Sequence, residues 1–359
     1  VRARIEQRRK ELIDQLMFAS DWADYNRRAG LVRGMDDAIL MIEEVEKLRG
    51  IGLLCSEELW PIESKQAYIK ALGPDMYTFP DMSFDTETKG ENQHDGVNVC
   101  APSQVKEVAA CARRKCAKLP DEEQTICVFK ECTEELAKIY FFGSANCLHC
   151  LAASGGKSVE GVIDACVQQK NKPPIAGISR AYDGQNGVVL ASRWPLLNTE
   201  VLRLRASFSN RVALFATIEL DGHESIEVAC AHISTETKIP PNHPDFSSWE
   251  EEMNAQIEDT SARLKERAGN RPSLFLGDMN AGPALDGRIR ISSEAPGVWK
   301  RIEELGWHSP VVYADQPFCS ICEDNTLRSY PGKGNYLIDH VLLRDPPGGT
   351  QLEPVLVHP

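Results

Sequence analysis

Short apolar runs that stop at polar residues alternate along this chain with longer segments whose apolar residues recur every three or four positions. That is the pattern of buried strands interleaved with amphipathic helices. The runs at 51–55, 187–191, 211–220, 225–231 and 274–276 predict strands, the third and fourth joined by an Asp221-Gly222 hairpin turn. Residues 335–343 predict a last strand, interrupted by Asp339-His340. Helical spacing covers 4–17, with Ile5, Leu12, Ile13 and Leu16 on one face, and also 35–48, 64–72 and 296–305. Ser248 and Glu251 have capping-box spacing and open a long helix to Ala268. Residues 74–94 and 319–329 carry neither period and predict loop. The expectation is an α/β domain over 1–99 and 173–359, with a helical insertion at 18–50.

Cysteine usage changes this picture. Eight of the twelve cysteines lie between Cys100 and Cys166, where Pro102-Ser103 opens one helix and Ser158 another. Clustering of this kind predicts a disulfide-stapled helical insert over 100–172 and a secreted or extracytoplasmic protein. Cys147-Leu-His-Cys150 and Cys319-Ser-Ile-Cys322 keep zinc open as the alternative, because C-x-x-C is also metal-ligand spacing.

The 359 residues carry a net charge of -13, which argues against broad electrostatic capture of a polyanion. A metal ion at the site can reverse the local field, so a phosphate-binding enzyme is not excluded. No window is apolar for the eighteen or more residues of a membrane span. The chain opens at Val1 with a charged segment and no apolar leader, from which any signal peptide is expected to have been removed or to lie outside it.

The candidate chemistry collects at strand ends. Asp278 and Asn280 follow the run 274–276, where a carboxylate can place a water and an amide can hold an oxyanion; an Asp/Asn turn is the plainer alternative. Glu57 and Glu58 follow 51–55, and carboxylates are the ligands Mg²⁺ prefers, although acids also serve helix N-termini. His232 ends another strand, a position more often structural than catalytic. Asp339 is hardest to explain structurally, since an acid inside an apolar strand needs a partner or a ligand.

The order Glu58-Leu-Trp, Gly187-Val-Val-Leu-Ala-Ser-Arg-Trp-Pro195, Ala231-His-Ile, Leu276-Gly-Asp-Met-Asn280 and Ile338-Asp-His-Val341 resembles the endonuclease/exonuclease/phosphatase superfamily. That superfamily includes deoxyribonucleases, apurinic-site endonucleases, neutral sphingomyelinases and inositol-phosphate phosphatases. The resemblance implies a four-layer α/β/β/α sandwich of two mixed sheets and a hydrolysis that depends on Mg²⁺, with Mn²⁺ as a substitute. The phosphoester would be a nucleic acid or a phospholipid head group. By motif position, Glu58 would bind the metal, with Glu57 where the family has Gln. His232 would bond the phosphate or protonate a leaving group, Asp278 would position the water, Asn280 would hold a non-bridging oxygen, and Asp339 would organise a closing histidine. Arg193 would contact phosphate.

The family's first strand should precede the helix at 4–17, and Asp24-Tyr25-Asn26 is only superficially like its metal-holding Asn. Its closing Ser-Asp-His should follow the Asp339 strand, where the chain runs to Val357-His358-Pro359, and His340 fits the penultimate strand better. The expectation is a chain of low activity, with an open strand-shaped groove beside the Glu58 strand. A binding or structural protein on the same scaffold is the rival. The sequence leaves the oligomeric state open.

Overall fold

A computed structural model describes residues 51–344 apart from 61, 84–99, 120–123, 125–126, 129, 143–144, 154–157, 168–180, 221–224, 238–240, 242, 244, 288, 313–317 and 324–333. The expected helices at 4–17 and 35–48, the 18–50 insertion, the Asp221-Gly222 turn and His358 lie outside the described residues, as do the segments on which the expected groove depends.

In chain order the elements are β1 (Leu53–Ser56), α1 (Ile62–Leu72), β2 (Tyr77–Pro80), α2 (Pro102–Lys115), α3 (Thr133–Phe142), α4 (Ala145–Ala153), α5 (Val159–Cys166), β3 (Val189–Ser192) and β4 (Leu196–Leu204). They continue as β5 (Arg211–Glu219), β6 (Ser225–Ala231), α6 (Trp249–Ala268), β7 (Ser273–Asp278), β8 (Ile291–Ser292), α7 (Pro296–Glu304), β9 (Asn335–Tyr336) and β10 (Asp339–Arg344). Among the described residues one sheet runs β1-β3-β2 and a larger one β10-β7-β6-β5-β4, and β8 pairs with β9 in a short two-stranded sheet. In the larger sheet β6 and β7 are parallel, with α6 as their crossover, and the other neighbours are antiparallel.

Side-chain alternation stacks these elements. In β5, Val212, Leu214, Ala216 and Ile218 turn toward Leu53, Cys55 and Leu190 of the smaller sheet, while Ala213 and Phe215 turn toward Met253 and Ile257 of α6 and Val298 of α7. Leu54 and Ala191 face the other way, against Tyr68 and Leu72 of α1. The order is helix, sheet, sheet, helices, the α/β/β/α arrangement the resemblance implied. It also explains why β5 reads as a continuous apolar run, since both of its faces are covered.

Helices α2 to α5 have a separate core that includes Val105, Val108, Leu136, Leu148 and Leu151. Four disulfides close within them: Cys100–Cys147, Cys111–Cys132, Cys116–Cys127 and Cys150–Cys166. Cys319 bonds Cys322, and no cysteine is free, so the zinc alternative has no thiolate left to use.

The sixth disulfide, Cys55–Cys230, joins β1 to β6 across the space between the sheets.

Several elements differ from expectation. β2 falls where loop was expected and β4 where no element was predicted, both largely exposed or half-buried, which leaves little apolar period to read; Pro80 is tolerated because β2 is an edge strand. The expected strand over 335–343 is divided into β9 and β10 by buried Leu337 and Ile338. The first insert helix is capped from Ala101, whose N–H donates to Gln104 Oε1 at 2.7 Å, and not by Ser103. Ser248 Oγ accepts from Glu251 N at 3.2 Å as expected, but the Glu251 carboxylate reaches back to Ser247 N at 2.7 Å.

Candidate functional site

Strand register builds the site. Cys230 of β6 pairs with Leu276 of β7, and the row continues past the strand ends, where Ile233 N donates to Asp278 O at 2.9 Å. Asp339 of β10 pairs with Asp278 from the other side. His232, Asp278 and Asp339 therefore end three adjacent strands. The Cys55–Cys230 bridge lies two residues before both Glu57 and His232, so it fixes the end of β1 over this row. Gly277 permits the approach: a Cβ there, at φ 137°, would fall 1.9 Å from Ala231 O and 3.0 Å from Glu57 Oε1.

Asp278 ends β7 and Asn280 lies beyond it, so a turn and not strand alternation brings the two together. Asn280 has φ 46°, and its N–H donates to Asp278 Oδ1 at 2.7 Å, so the Asp/Asn turn and the site are the same structure. Asn280 Nδ2 donates one hydrogen to Ile233 O at 2.9 Å, which leaves its second for another acceptor. His232 Nε2 lies 3.4 Å from Asp278 Oδ2, and its buried Nδ1 has no hydrogen-bond partner. Glu58 is exposed in a left-handed conformation, φ 58°, and Leu59 N is anchored to Gly187 O at 3.0 Å.

The electrostatics are those of an acid cluster short of cations. Burial raises Glu57 well above the usual carboxylate range, and Asp339 and Asp278 push it further. Burial also raises Asp278, with Asp339 adding to it. Asp339 is raised by partial desolvation at the rim, against a Ser320 hydrogen bond that opposes the shift. Burial, and then the Arg211 guanidinium, hold His232 well below its ordinary value, so its ring is neutral.

Arg211 is buried, its field reaches Asp278 and Glu58, and its Nε has no partner. The guanidinium lies 5.1 Å from the centre of the Trp60 ring, which stacks on Tyr182 at 4.8 Å and tilts against His232 at 5.9 Å.

Four of the residues anticipated from sequence, His232, Asp278, Asn280 and Asp339, thus meet at one sheet edge, with Glu58 within electrostatic reach of Asp278. Arg193 does not join them. It follows Ser192, which pairs with Leu53 at the end of β1 remote from Glu58. Arg211 supplies a guanidinium instead, and a charge opening an otherwise apolar strand was the signal that could have found it. Glu57 was placed by motif and not by role, and no sequence signal pointed to Tyr182. His340 is neutral and structural: burial lowers its pKa to about 4, and its ring nitrogens lie 3.2 Å from Ser309 Oγ and 3.0 Å from Ala281 O.

The donor set suits a hard divalent cation, because Glu57, Glu58, Asp278 and Asp339 offer oxygen ligands, and the Arg211 guanidinium acts on Asp278 and Glu58 among them. No three of these carboxylates bring oxygens within 4.8 Å of one another. That fits an ion which keeps several waters and takes one or two carboxylates.

The family model for the endonuclease/exonuclease/phosphatase family matches residues 134–354, more than half of the chain. The chain belongs to this family. Members of the endonuclease/exonuclease/phosphatase family are generally hydrolases acting on phosphoesters. The match begins inside the cysteine-rich insert and includes every site residue except Glu57, Glu58 and Trp60.

A search among curated proteins returns no match. Among solved structures, an endonuclease/exonuclease/phosphatase from Beutenbergia cavernae DSM 12333 is 18% identical, with 48% of this chain and 44% of that one covered and a TM-score of 0.32. A β hairpin deletion mutant of beta toxin from Staphylococcus aureus is 16% identical, covering 48% and 60%, with a TM-score of 0.34. D. rerio TDP2 complexed with single strand DNA product is 14% identical, covering 48% and 64%, with a TM-score of 0.36. The chain thus spans between 44% and 64% of the length of these structures.

Proposed function

We propose that the chain is a divalent-metal-dependent phosphoesterase that attacks phosphorus with an activated water, on a phosphodiester of a nucleic acid or a phospholipid head group. The observation that carries this reading is the row His232, Asp278, Asp339 beneath Glu57 and Glu58, a concentration of acids with one buried Arg among them. Mg²⁺, or Mn²⁺ in its place, would be held from Glu58 and would offset charge on the phosphoryl oxygens.

The protein's own groups do the rest. Asp278 orients the water and takes its proton, with its Oδ1 fixed by the Asn280 N–H. Asn280 gives its remaining amide hydrogen to a non-bridging oxygen, and the neutral His232 ring adds a hydrogen bond. Arg211 offsets the negative charge gathered at the row. The reading places the catalytic domain in 1–99 and 173–359 and treats 100–172 as its insert. Six disulfides support a secreted protein. Among the described residues no helix is long and apolar enough to cross a membrane.

The test is a panel of plasmid DNA, RNA, sphingomyelin and inositol phosphates with Mg²⁺ or Mn²⁺, together with calorimetric Mg²⁺ titration. Hydrolysis of at least one substrate, and loss of Mg²⁺ binding in Glu58→Gln, are expected. Hydrolysis of none, with Mg²⁺ bound equally by both proteins, would leave the scaffold as a binding protein.

A further inference from the structure

We propose that the disulfide-stapled insert positions His232, and that Phe208 is the residue through which it does so. This rests on the phosphoesterase reading for what His232 does, but not for where His232 is held.

Phe208 lies in the turn between β4 and β5, outside the insert in sequence. It nevertheless packs against the insert's core, and among the described apolar residues that join that core it alone comes from outside 100–167. On its other side its ring lies 5.7 Å from Trp249, the first residue of α6. Among the described apolar residues the insert's core thereby meets the main domain at this aromatic side chain, the wedge between them.

Two routes lead from this wedge to His232. In the first, Ser207 donates to Glu252 of α6 from both its N–H, at 3.0 Å, and its hydroxyl, at 2.6 Å. Glu252 is wholly buried and also accepts from Ser234 Oγ at 2.7 Å, while Gln256 Oε1 accepts from Ser234 N at 2.8 Å. A buried carboxylate is tolerable only when such donors surround it, so the two segments that satisfy Glu252 are held together. Ser234 is two residues beyond His232.

In the second route, Phe208 O accepts from Ala181 N at 2.6 Å, and Asn210 Nδ2 donates to Gly184 O at 2.8 Å. These bonds fix the turn that carries Tyr182, whose ring stacks on Trp60, which in turn tilts against His232.

The backbone marks the same place. Phe208 has φ 57° and Tyr182 φ 56°, left-handed conformations that a bulky residue rarely adopts. Strain at Phe208 and at Tyr182, the residue after its partner Ala181, persists only where the surroundings impose it. Neither residue is glycine, so the side chains are what the positions need.

Phe208→Gly tests this directly, because glycine adopts φ 57° without strain and only the wedge is removed. We expect kcat to fall on the order of 10- to 100-fold with KM within about twofold, the effect of a displaced catalytic group. The ring resonances of His232 should move in the NMR spectrum, and Phe208→Leu should restore both. Ser207→Ala, which removes the hydroxyl donor of the first route, keeps its N–H donor and leaves the wedge in place, should move the same resonances by less. Wild-type kcat and unmoved His232 resonances in Phe208→Gly would overturn the proposal, as would a Leu variant no better than the Gly variant. If the wild-type protein hydrolyses none of the substrates tested, the phosphoesterase reading fails, and the His232 resonances still decide the positioning claim.

Discussion

His232 and His340 are both buried and neutral, and what separates them is the partner each ring finds. His340 is satisfied on both nitrogens and tilts against Trp299 at 4.6 Å, whereas His232 keeps a buried Nδ1 with no partner beside an acid row. Because the folded pKa of His340 is depressed to about 4, its unfolded form binds the proton more readily below about pH 6.5. The stability it contributes is complete above that pH and is lost as pH falls toward 4, on the order of 3 kcal/mol. Urea unfolding at pH 7 and 4.5 should show this loss in the wild type and a smaller one in His340→Gln. The acids work the opposite way. Glu57, Asp278 and Asp339 have raised pKa values, so their contribution is complete below about pH 4 and is lost as they ionise. A divalent cation offsets that loss, and the rise in Tm on adding Mg²⁺ should therefore be larger at pH 7.5 than at pH 5. Equal rises at the two pH values would mean that the cation binds elsewhere.

At the level of elements, what could be read in advance followed burial. β5, β6 and β7 are covered on both faces and announced themselves as apolar runs, whereas β2 and β4 present too little buried surface to leave a period. The site followed the same division. Asp278, Asn280 and Asp339 were legible because polar groups at the ends of apolar strands call for an explanation, and Arg211 would have been legible on the same ground. The Cys55–Cys230 bridge was not, since its partners are 175 residues apart and pairing depends on how two sheets stack. It ties the strand before Glu57 and Glu58 to the strand before His232. Replacing both cysteines by serine should cost about 2–5 kcal/mol, with a lower Tm and weaker Mg²⁺ binding as the readouts. Gly277→Ala should be worse: its Cβ would overlap Ala231 O, and only separation of β6 from β7 relieves a 1.9 Å contact. Soluble expression with a wild-type Tm in that variant would contradict the register on which the site depends.

Over the whole molecule, the layer order was legible through a family resemblance, and both the charge and its division were legible directly. Residues 100–172 carry ten Lys and Arg against nine Asp and Glu, so the insert is nearly neutral and the rest of the chain carries essentially all of the net -13. A domain this acidic is ill suited to gather a polyanion by counterion release, which needs clustered Lys and Arg and makes binding fall steeply with salt. On the proposed function, an anionic substrate would approach against the field of the protein and be drawn in only close to a bound cation and Arg211. Screening that repulsion should help, since the Debye length shrinks from roughly 30 Å at 0.01 M salt to 8 Å at 0.15 M. For a nucleic acid substrate, kcat/KM at fixed, saturating Mg²⁺ should therefore hold or rise as NaCl increases from 20 to 150 mM. For a zwitterionic head group it should hardly change, because there is no net charge to repel. A steep fall with salt on DNA or RNA would show that clustered cations capture the strand, and would make nucleic acid the substrate class. A flat profile on sphingomyelin, with no DNA hydrolysis at any salt concentration, would assign the acid row to the phospholipid head group.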